Sequence, residues 1–526
     1  MTTMASFSWA DLFEIVADTV GEREALVVGD RRFTYAELDA RASRLAHFLA
    51  GKGIGRGDNF GLYLQNGVEY VEAMLAGFKL GAVPVNVNYR YVEDELRYLF
   101  DDADLVGVIC EPQYLDRVEE VRTPALRWVL AAGEAYEAAL AAQSTERDFG
   151  VRGGDDLYVI YTGGTTGMPK GVMWRQEDAF FACLRGGNPI GEPVSTPEQL
   201  AETVTARPGL KQMPCAPLMH GAAQWTVFMA FFGGDTVVLV PGGFDADAVL
   251  DAVAAEGVNI LTIVGDAMAR PLADSMARTP RDLSVLYIIG SGGAIFSAAV
   301  QDMIREHIPN ITILDSFGVS ETGYQGSKPP GDTEAAPRFL VDDTTAVLDA
   351  DLRRVEPGSD TVGMLARTGH IPLGYHKDPD KTAKTFVTDP DGRRWALPGD
   401  MATVDADGVI TLLGRGSGCI NTGGEKVYPE EVESVLKGHP SVFDALVVGV
   451  ADDRFGQRVA AVVSAAPGAS PGLDDLAAHC RGQLAGYKVP RDLVVVDEIA
   501  RTPSGKPDYR WARRIAEGDV AEGAVS

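Results

Sequence analysis

FDADAVLDAVAAEGVNILTIVG, residues 244–265, changes its hydrophobic period halfway along. Residues 244–257 place Phe244, Val249, Leu250 and Val253 on one side of a helix. VNILTIVG then reads as a short β-branched strand stopped by glycine. The unit recurs on both sides. Downstream, SVLYIIG (284–290) is a strand, AAVQDMIREHIPN (298–310) a helix and ITILDSFG (311–318) the next strand. Upstream, residues 35–53 are helical, NFGLYLQN (59–66) is a strand, and residues 68–82 are helical again. Such alternation builds an α/β fold of parallel sheets covered by helices. After about residue 340 the pieces become short and turn-rich, as in VGMLART and GVITLLGR, and predict a β-rich subdomain. A glycine-serine link, GRGSGC (414–419), precedes YPEEVESVLKGH and two strands, DALVVGV and RVAAVVSA. The expected organisation is a large N-terminal domain over 1–414, a link at 415–418, and a small α+β domain over 419–526.

The 526 residues are too many for one ordinary core. A formal charge of −28 sets the long-range field against nucleic acid and anionic membrane, so an anionic ligand needs strong local donors. The five cysteines are odd in number and lack a CxxC pair, which argues against a disulfide framework or zinc ribbon and fits a reducing cytoplasm. The start carries acids within its apolar stretch and no basic n-region, unlike a signal peptide, and no apolar run approaches a membrane span. Oligomeric state is not legible, and a homodimer stays open.

In an open parallel sheet, ligands sit beyond the carboxyl ends of the strands. Three glycine-rich loops follow strands directly, and their shared position predicts one site at one end of one sheet. YTGGTTGMPKG (161–171) follows DDLYVIY, GSGGA (290–294) follows SVLYII, and SFGVSETG (316–323) follows ITILD. In the first loop Gly163, Gly164 and Gly167 let backbone N–H groups turn inward. Thr162, Thr165 and Thr166 add hydroxyls, and Lys170 adds charge. That is chemistry for cradling phosphates. It is not a Walker A loop, since Gly171 follows Lys170, and the SGK at 504–506 fails because residue 500 is alanine. No GxGxxG occurs around 290 or 414. In the third loop Glu321 beside phosphates is most simply a Mg²⁺ ligand, with a helix cap as the alternative, and Phe317 can stack on a base.

YTGGTTGMPKGV resembles the signature of the adenylate-forming superfamily of acyl-CoA synthetases, peptide-synthetase adenylation domains and luciferases. The resemblance runs in order along nearly the whole chain. PLMHG (217–221) is similar to the family's histidine loop. SGGA (291–294) and DSFGVSETG (315–323) are similar to its adenine strip, and GYHKDPDKTAKTF (374–386) to the loop before its β-subdomain. RWALPGD (394–400), GRGSGCINTGGEKVYPEEVE (414–433) and RTPSGK (501–506) complete the set. The resemblance implies ATP, Mg²⁺ and coenzyme A, and two half-reactions in one site. A carboxylate attacks the α-phosphate of ATP, and a thiol then displaces AMP from the acyl-AMP. By resemblance, Lys506 is the cation aimed at the α-phosphate, with Glu321 and Thr165 also catalytic. The adenine strip comprises Gly292, Gly293, Ala294, Asp315, Ser316, Phe317, Gly318 and Ser320. Asp400 takes the ribose hydroxyls, and Arg415 helps hold the ribose or phosphate. Gly423 and Gly424 line a pantetheine tunnel once the C-terminal domain has swung about the hinge. The chain departs from the family pattern at Gly418 (usually Asp or Lys), Ser320 (Thr), Phe317 (commonly Tyr) and Gly163 (Ser).

For the acid, His220, Gly221, Ala222 and Trp225 are the expected pocket. Small residues leave room, and the aromatic and methionine residues of GAAQWTVFMAFFGG form an apolar wall. A bulky apolar acid is favoured. The motif spellings resemble actinobacterial ligases for long-chain fatty or sterol side-chain acids. The competing readings are an acyl-AMP ligase serving a carrier protein and a non-catalytic ATP-binding module.

Overall fold

The computed structural model describes residues 6–164, 167–188, 191–294, 296–329, 337–422, 425–452, 454–502 and 506–518, with only the backbone at Arg415 and Ser417. The chain forms two compact units. One comprises Met1–Gly293, Ile304–Tyr324 and Gly369–Phe386, the other Ala294–Met303, Gln325–Thr368 and Val387–Ser526.

The first unit holds three sheets. Its largest runs, from the edge inward, Arg31–Thr34, Glu24–Val28, Thr236–Leu239, Lys211–Pro214, Ile260–Ile263, Ile288–Gly292 and Thr312–Val319. All neighbours are parallel except the edge strand Arg31–Thr34. The alternation that opened the sequence is thus present. The helix Ala246–Glu256 is capped by Asp245, whose carboxylate accepts from the Ala248 N–H, and it buries Val249, Leu250 and Val253. It ends at Gly257 in the left-handed region (φ +69°), a conformation that favours glycine. A second, fully parallel sheet runs Val83–Asn86, Asn59–Tyr63, Gly107–Cys110, Trp128–Ala131.

The third sheet corrects an expectation. The strand Leu157–Gly164, which leads into the first glycine-rich loop, does not lie beside the other two glycine loops in the large parallel sheet. It turns back antiparallel on Gly167–Arg175, and Gly374–Tyr375 adds a third strand. A strand that runs into glycines looks the same in sequence whether it meets a hairpin turn or a βα crossover.

The second unit contains the antiparallel ladder Thr345–Leu348, Gly363–Arg367, Asp400–Val404, Ile410–Arg415, Arg338–Val341. It also contains an α+β body whose central strand, Gly456–Ala465, pairs antiparallel with the edge strand Val442–Asp452 and parallel with Asp492–Val496. The helices Pro429–Lys437 and Leu473–Arg481 cover one face with Val432, Leu436, Leu476 and Cys480. The helix Tyr509–Ala516 packs Trp511, Ala512 and Ile515 against Leu446, Val448 and Val462 on the other.

Candidate active site

In the first unit the sequence-predicted loops come together through one short segment. Strand Gly374–Tyr375 pairs with Gly167–Arg175, Gly374 opposite Met173 and Tyr375 opposite Val172. This register delivers two side chains to the expected site. The Tyr375 hydroxyl donates to Glu321 Oε1 at 2.7 Å. Three residues on, the Asp378 carboxylate is ion-paired with Lys170. That ammonium, with a bond from the Lys381 N–H, holds the Asp378 carboxyl below the usual carboxylate range. Asp378 also caps the helix Pro379–Thr385, accepting from the Lys381 N–H at 3.0 Å. On the hairpin itself, Trp174 Nε1 donates to the Ser320 carbonyl at 3.0 Å. Lys170, Ser320 and Glu321 are therefore held in one cluster.

Thr162 and Gly163 lie at the end of their strand, with Thr162 opposite Lys170 and Gly164 opposite Gly167. Thr165 and Thr166 lie outside the described residues. Glu321 sits in a turn between the strands Thr312–Val319 and Gly323–Ser327, closed by Thr322 N–H donating to the Val319 carbonyl. No helix begins there, so the helix-cap alternative for Glu321 falls. Gly318 lets the turn be tight: a Cβ there would stand 2.2 Å from the Gly323 carbonyl oxygen. The remaining glycine loop does lie beside this strand. Ser291 is opposite Asp315 and Gly292 opposite Ser316 at the carboxyl ends of parallel strands, with Gly293 at φ +79°. Asp315 and Phe317 belong to this strand, and Ala294 belongs to the second unit.

The histidine loop is tied to the same hairpin by a residue the sequence did not single out. Asn86 is buried and donates to the carbonyls of Tyr161 and Met219, at 2.8 and 2.7 Å, while accepting from the Tyr161 N–H at 2.8 Å. Asn66 fixes the loop's other end through Leu218 and Ala216. His220 then precedes the helix Gly221–Phe232. Trp225 is half-buried, Ala222 exposed, and Gly221 packs under the Trp225 ring, where a Cβ would meet it at 3.4 Å. The expected apolar wall beyond is a correction. Phe228, Phe231 and Phe232 are fully buried against Trp9, Phe13 and Phe180, because the helical period turns them into the core. A cavity behind the loop, lined by Asn66, Met213, Cys215, Pro217 and Phe244, measures 10 Å³ and has room for about one water rather than an acyl chain.

In the second unit, Asp400 and Arg415 are direct cross-strand partners, which brings the two expected ribose or phosphate contacts together through the backbone. Asp400 is buried. Lys506 is exposed on a loop whose base is closed by Thr502, whose N–H donates to the Lys506 carbonyl at 2.8 Å. Gly423 and Gly424 lie outside the described residues.

Lys170 on a hairpin strand and Glu321 in a turn at the ends of parallel strands are thus joined through the one segment Tyr375–Asp378. The chain belongs to the AMP-binding enzyme family, whose model matches residues 13–375, and the family's C-terminal domain model matches residues 431–506. It is 49% identical over 533 residues to the medium/long-chain-fatty-acid–CoA/3-oxocholest-4-en-26-oate–CoA ligase of Mycobacterium tuberculosis, covering 98% of this chain and 97% of that one. It is 48% identical over 528 residues to the 3-oxocholest-4-en-26-oate–CoA ligase of Rhodococcus rhodochrous, covering 96% and 95%. Among solved structures it resembles ATP-bound MatB from Rhodopseudomonas palustris, with a TM-score of 0.81, 28% identity, and coverage of 96% and 98%.

Proposed function

We propose that this chain is an ATP-dependent acyl-CoA ligase acting on a bulky apolar carboxylic acid, a long-chain fatty acid or a steroid side-chain acid. The observation that carries the reading is the single segment Tyr375–Asp378 holding both Glu321 and Lys170. A cation and a carboxylate set together on backbone-rich turns suit a polyphosphate bridged by a hard cation. The near full-length similarity to the two ligases named above supports the substrate class.

In the first half-reaction a substrate carboxylate oxygen bonds to the α-phosphorus of ATP, and the bond to the pyrophosphate oxygen breaks. The backbone of residues 162–167 and Lys170 bind the β- and γ-phosphates. Lys506 offsets charge that develops on the α-phosphate oxygens, where a preorganised cation lowers the barrier most. Asp315, Phe317, Asp400 and Arg415 hold the adenosine. Glu321 suits Mg²⁺. Among the described residues no three His, Cys, Asp or Glu side chains cluster as a metal cage, and Mg²⁺ takes one or two carboxylates alongside phosphate oxygens. Bound there, Mg²⁺ neutralises phosphate charge. In the second half-reaction a CoA thiolate bonds to the acyl carbon and AMP leaves. The domain beginning at residue 419 turns about 415–418 between the steps, a motion that a short glycine-rich link absorbs. Among the described residues no helix is long and apolar enough to cross a membrane.

The test is mass spectrometry of reactions containing ATP, Mg²⁺ and a panel of acids from short fatty acids to steroid side-chain acids, each with and without CoA. The reading expects an acyl-CoA with CoA and acyl-AMP without it. Acyl-AMP that never becomes a thioester would move the acceptor to a carrier protein. No product from any acid, with ATP still bound, would overturn the enzyme reading.

A further inference from the structure

The described residues on either side of the Lys506 segment are held by two acids, the buried Glu433 and the half-buried Asp444. The base of the segment is closed by the Thr502–Lys506 bond, a bridge between Arg501 and Pro507, and the Asp508 N–H donating to the Ala500 carbonyl. These backbone bonds join the two ends to each other, not to the rest of the domain. Ties to the rest of the domain come from the residues at either end. On the entry side, Arg501 is ion-paired with Asp444. Asp444 is also bonded to Lys437 at 2.9 Å and accepts from the Ala445 N–H at 2.8 Å. Burial pushes the Asp444 carboxyl up, but Lys437 and Arg501 outweigh it and hold it below the usual range. On the exit side, the Tyr509 hydroxyl donates to Glu433 Oε2 at 3.0 Å, while Glu433 Oε1 accepts from the Val447 N–H at 2.8 Å. Glu433 is 1% exposed, so its bonds are made where water does not compete.

Both anchors belong to regular elements of the second unit. Glu433 and Lys437 lie one turn apart on the helix Pro429–Lys437, and Asp444 lies on the edge strand Val442–Asp452. Neither the ion pair at Arg501 nor the Glu433 bond to Tyr509, the first residue of the helix Tyr509–Ala516, is needed to close the base, which backbone bonds already close. A group that must meet one oxygen of a substrate does need such a mounting, since side chains held from both ends lose little order on reaction.

We propose that Asp444 and Glu433 are positioning residues for acyl-AMP formation: through Arg501 and Tyr509 they clamp the two ends of the 501–509 loop and set where Lys506 is presented. The proposal rests on the role given to Lys506 above. It predicts an effect confined to the first half-reaction, because thioester formation does not use that lysine.

The experiment measures the two half-reactions separately in the full chain. The first is acyl-AMP formation from ATP and the acid; the second is thioester formation from supplied acyl-AMP and CoA. Arg501→Ala and Tyr509→Phe are the variants of choice, since each removes the contact to one acid and leaves both acids in place. Thermal unfolding confirms that they are folded. Each is expected to slow acyl-AMP formation about 10-fold to 100-fold, mainly in kcat. Thioester formation stays within about twofold, the difference expected of a step that does not depend on the loop. Adding either change to Lys506→Ala is expected to cause no further loss. Arg501→Lys, which keeps a cation opposite Asp444, is expected to recover part of the rate. Equal losses in both half-reactions, or adenylation at the parental rate in both variants, overturns the clamp. If Lys506→Ala itself adenylates normally, the role of Lys506 fails and the clamp with it. If Lys506→Ala is inactive while both clamp variants are unaffected, the clamp alone fails.

Discussion

Replacing Tyr375 by phenylalanine removes one oxygen from a residue that is 3% exposed and leaves its packing intact. The ring keeps its contact with Phe386, centroids 5.8 Å apart, and stays under the Lys381 ammonium at 4.3 Å. The change removes the 2.7 Å bond to Glu321 Oε1. A hydrogen bond to a charged group is worth about 1.5–3 kcal/mol. If it acted fully on a bound cation, that would be about 10-fold to 150-fold in affinity. Groups that orient a metal-ligating carboxylate typically change affinity by about 10-fold to 100-fold when removed. Tyr375→Phe is thus expected to raise the Mg²⁺ concentration for half-maximal acyl-AMP formation by about 10-fold or more, with the rate restored at saturating Mg²⁺. The assay is initial pyrophosphate release across a Mg²⁺ titration at fixed ATP. A half-saturating Mg²⁺ unchanged from the parent would refute the argument that Tyr375 aims Glu321 at the cation.

Asp378→Asn keeps an oxygen to cap Lys381 but removes the charge opposite Lys170. Pairs this exposed are worth about 0.2–1 kcal/mol, so the KM for ATP should fall by up to about fivefold, as steady-state kinetics would show. At Gly414, φ is +111° and an added Cβ would lie 2.1 Å from Glu430 Oε2, whereas nothing stands within 4 Å of a Cβ at Gly418. The Glu430 carboxylate can swing away but the backbone cannot, so Gly414→Ala should destabilise by about 1–3 kcal/mol in denaturant unfolding. Gly418→Ala should stay within about 0.5 kcal/mol. Burial raises the Glu433 carboxyl from 4.5 to about 8, against the pull of Lys437 and with added push from Glu430. The folded chain then holds a proton that the unfolded chain has released, so this group's contribution falls as pH rises from about 4.5 to 8, by at most about 1.4 kcal/mol per pH unit. Glu433→Gln should flatten that slope in thermal unfolding measured from pH 5 to 9.

The helical period of residues 244–257 and the β-branched run after it were enough to foresee parallel sheets under helices, because buried faces are written into local spacing. The composition of the loop 161–171 was equally local: glycines, hydroxyls and one lysine, which are what suggested a phosphate cradle. What escaped was everything that depends on register between distant segments. Tyr375 and Asp378 are ordinary residues until strand Gly374–Tyr375 pairs with Gly167–Arg175, and that pairing carries no signal at the level of one chain segment. Asn86 is likewise a single amide whose two carbonyl partners lie 75 and 133 residues away. The phenylalanines of the helix Gly221–Phe232 were misread for the opposite reason. Composition showed them apolar, but only packing against Trp9 and Phe13 shows that they belong to the core.

The central claim is that one site makes an acyl-AMP and then hands the acyl group to CoA. Its most direct test is a single-turnover experiment with enzyme in excess over radiolabelled acid, run with ATP and Mg²⁺ and chased with CoA. The account predicts that labelled acyl-AMP builds up on the protein before the chase and is converted to acyl-CoA after it, and that Lys506→Ala fails to build it up while still converting acyl-AMP supplied from outside. Acyl-CoA formed with no acyl-AMP at any time, or a Lys506→Ala chain that forms acyl-AMP at the parental rate, would contradict it.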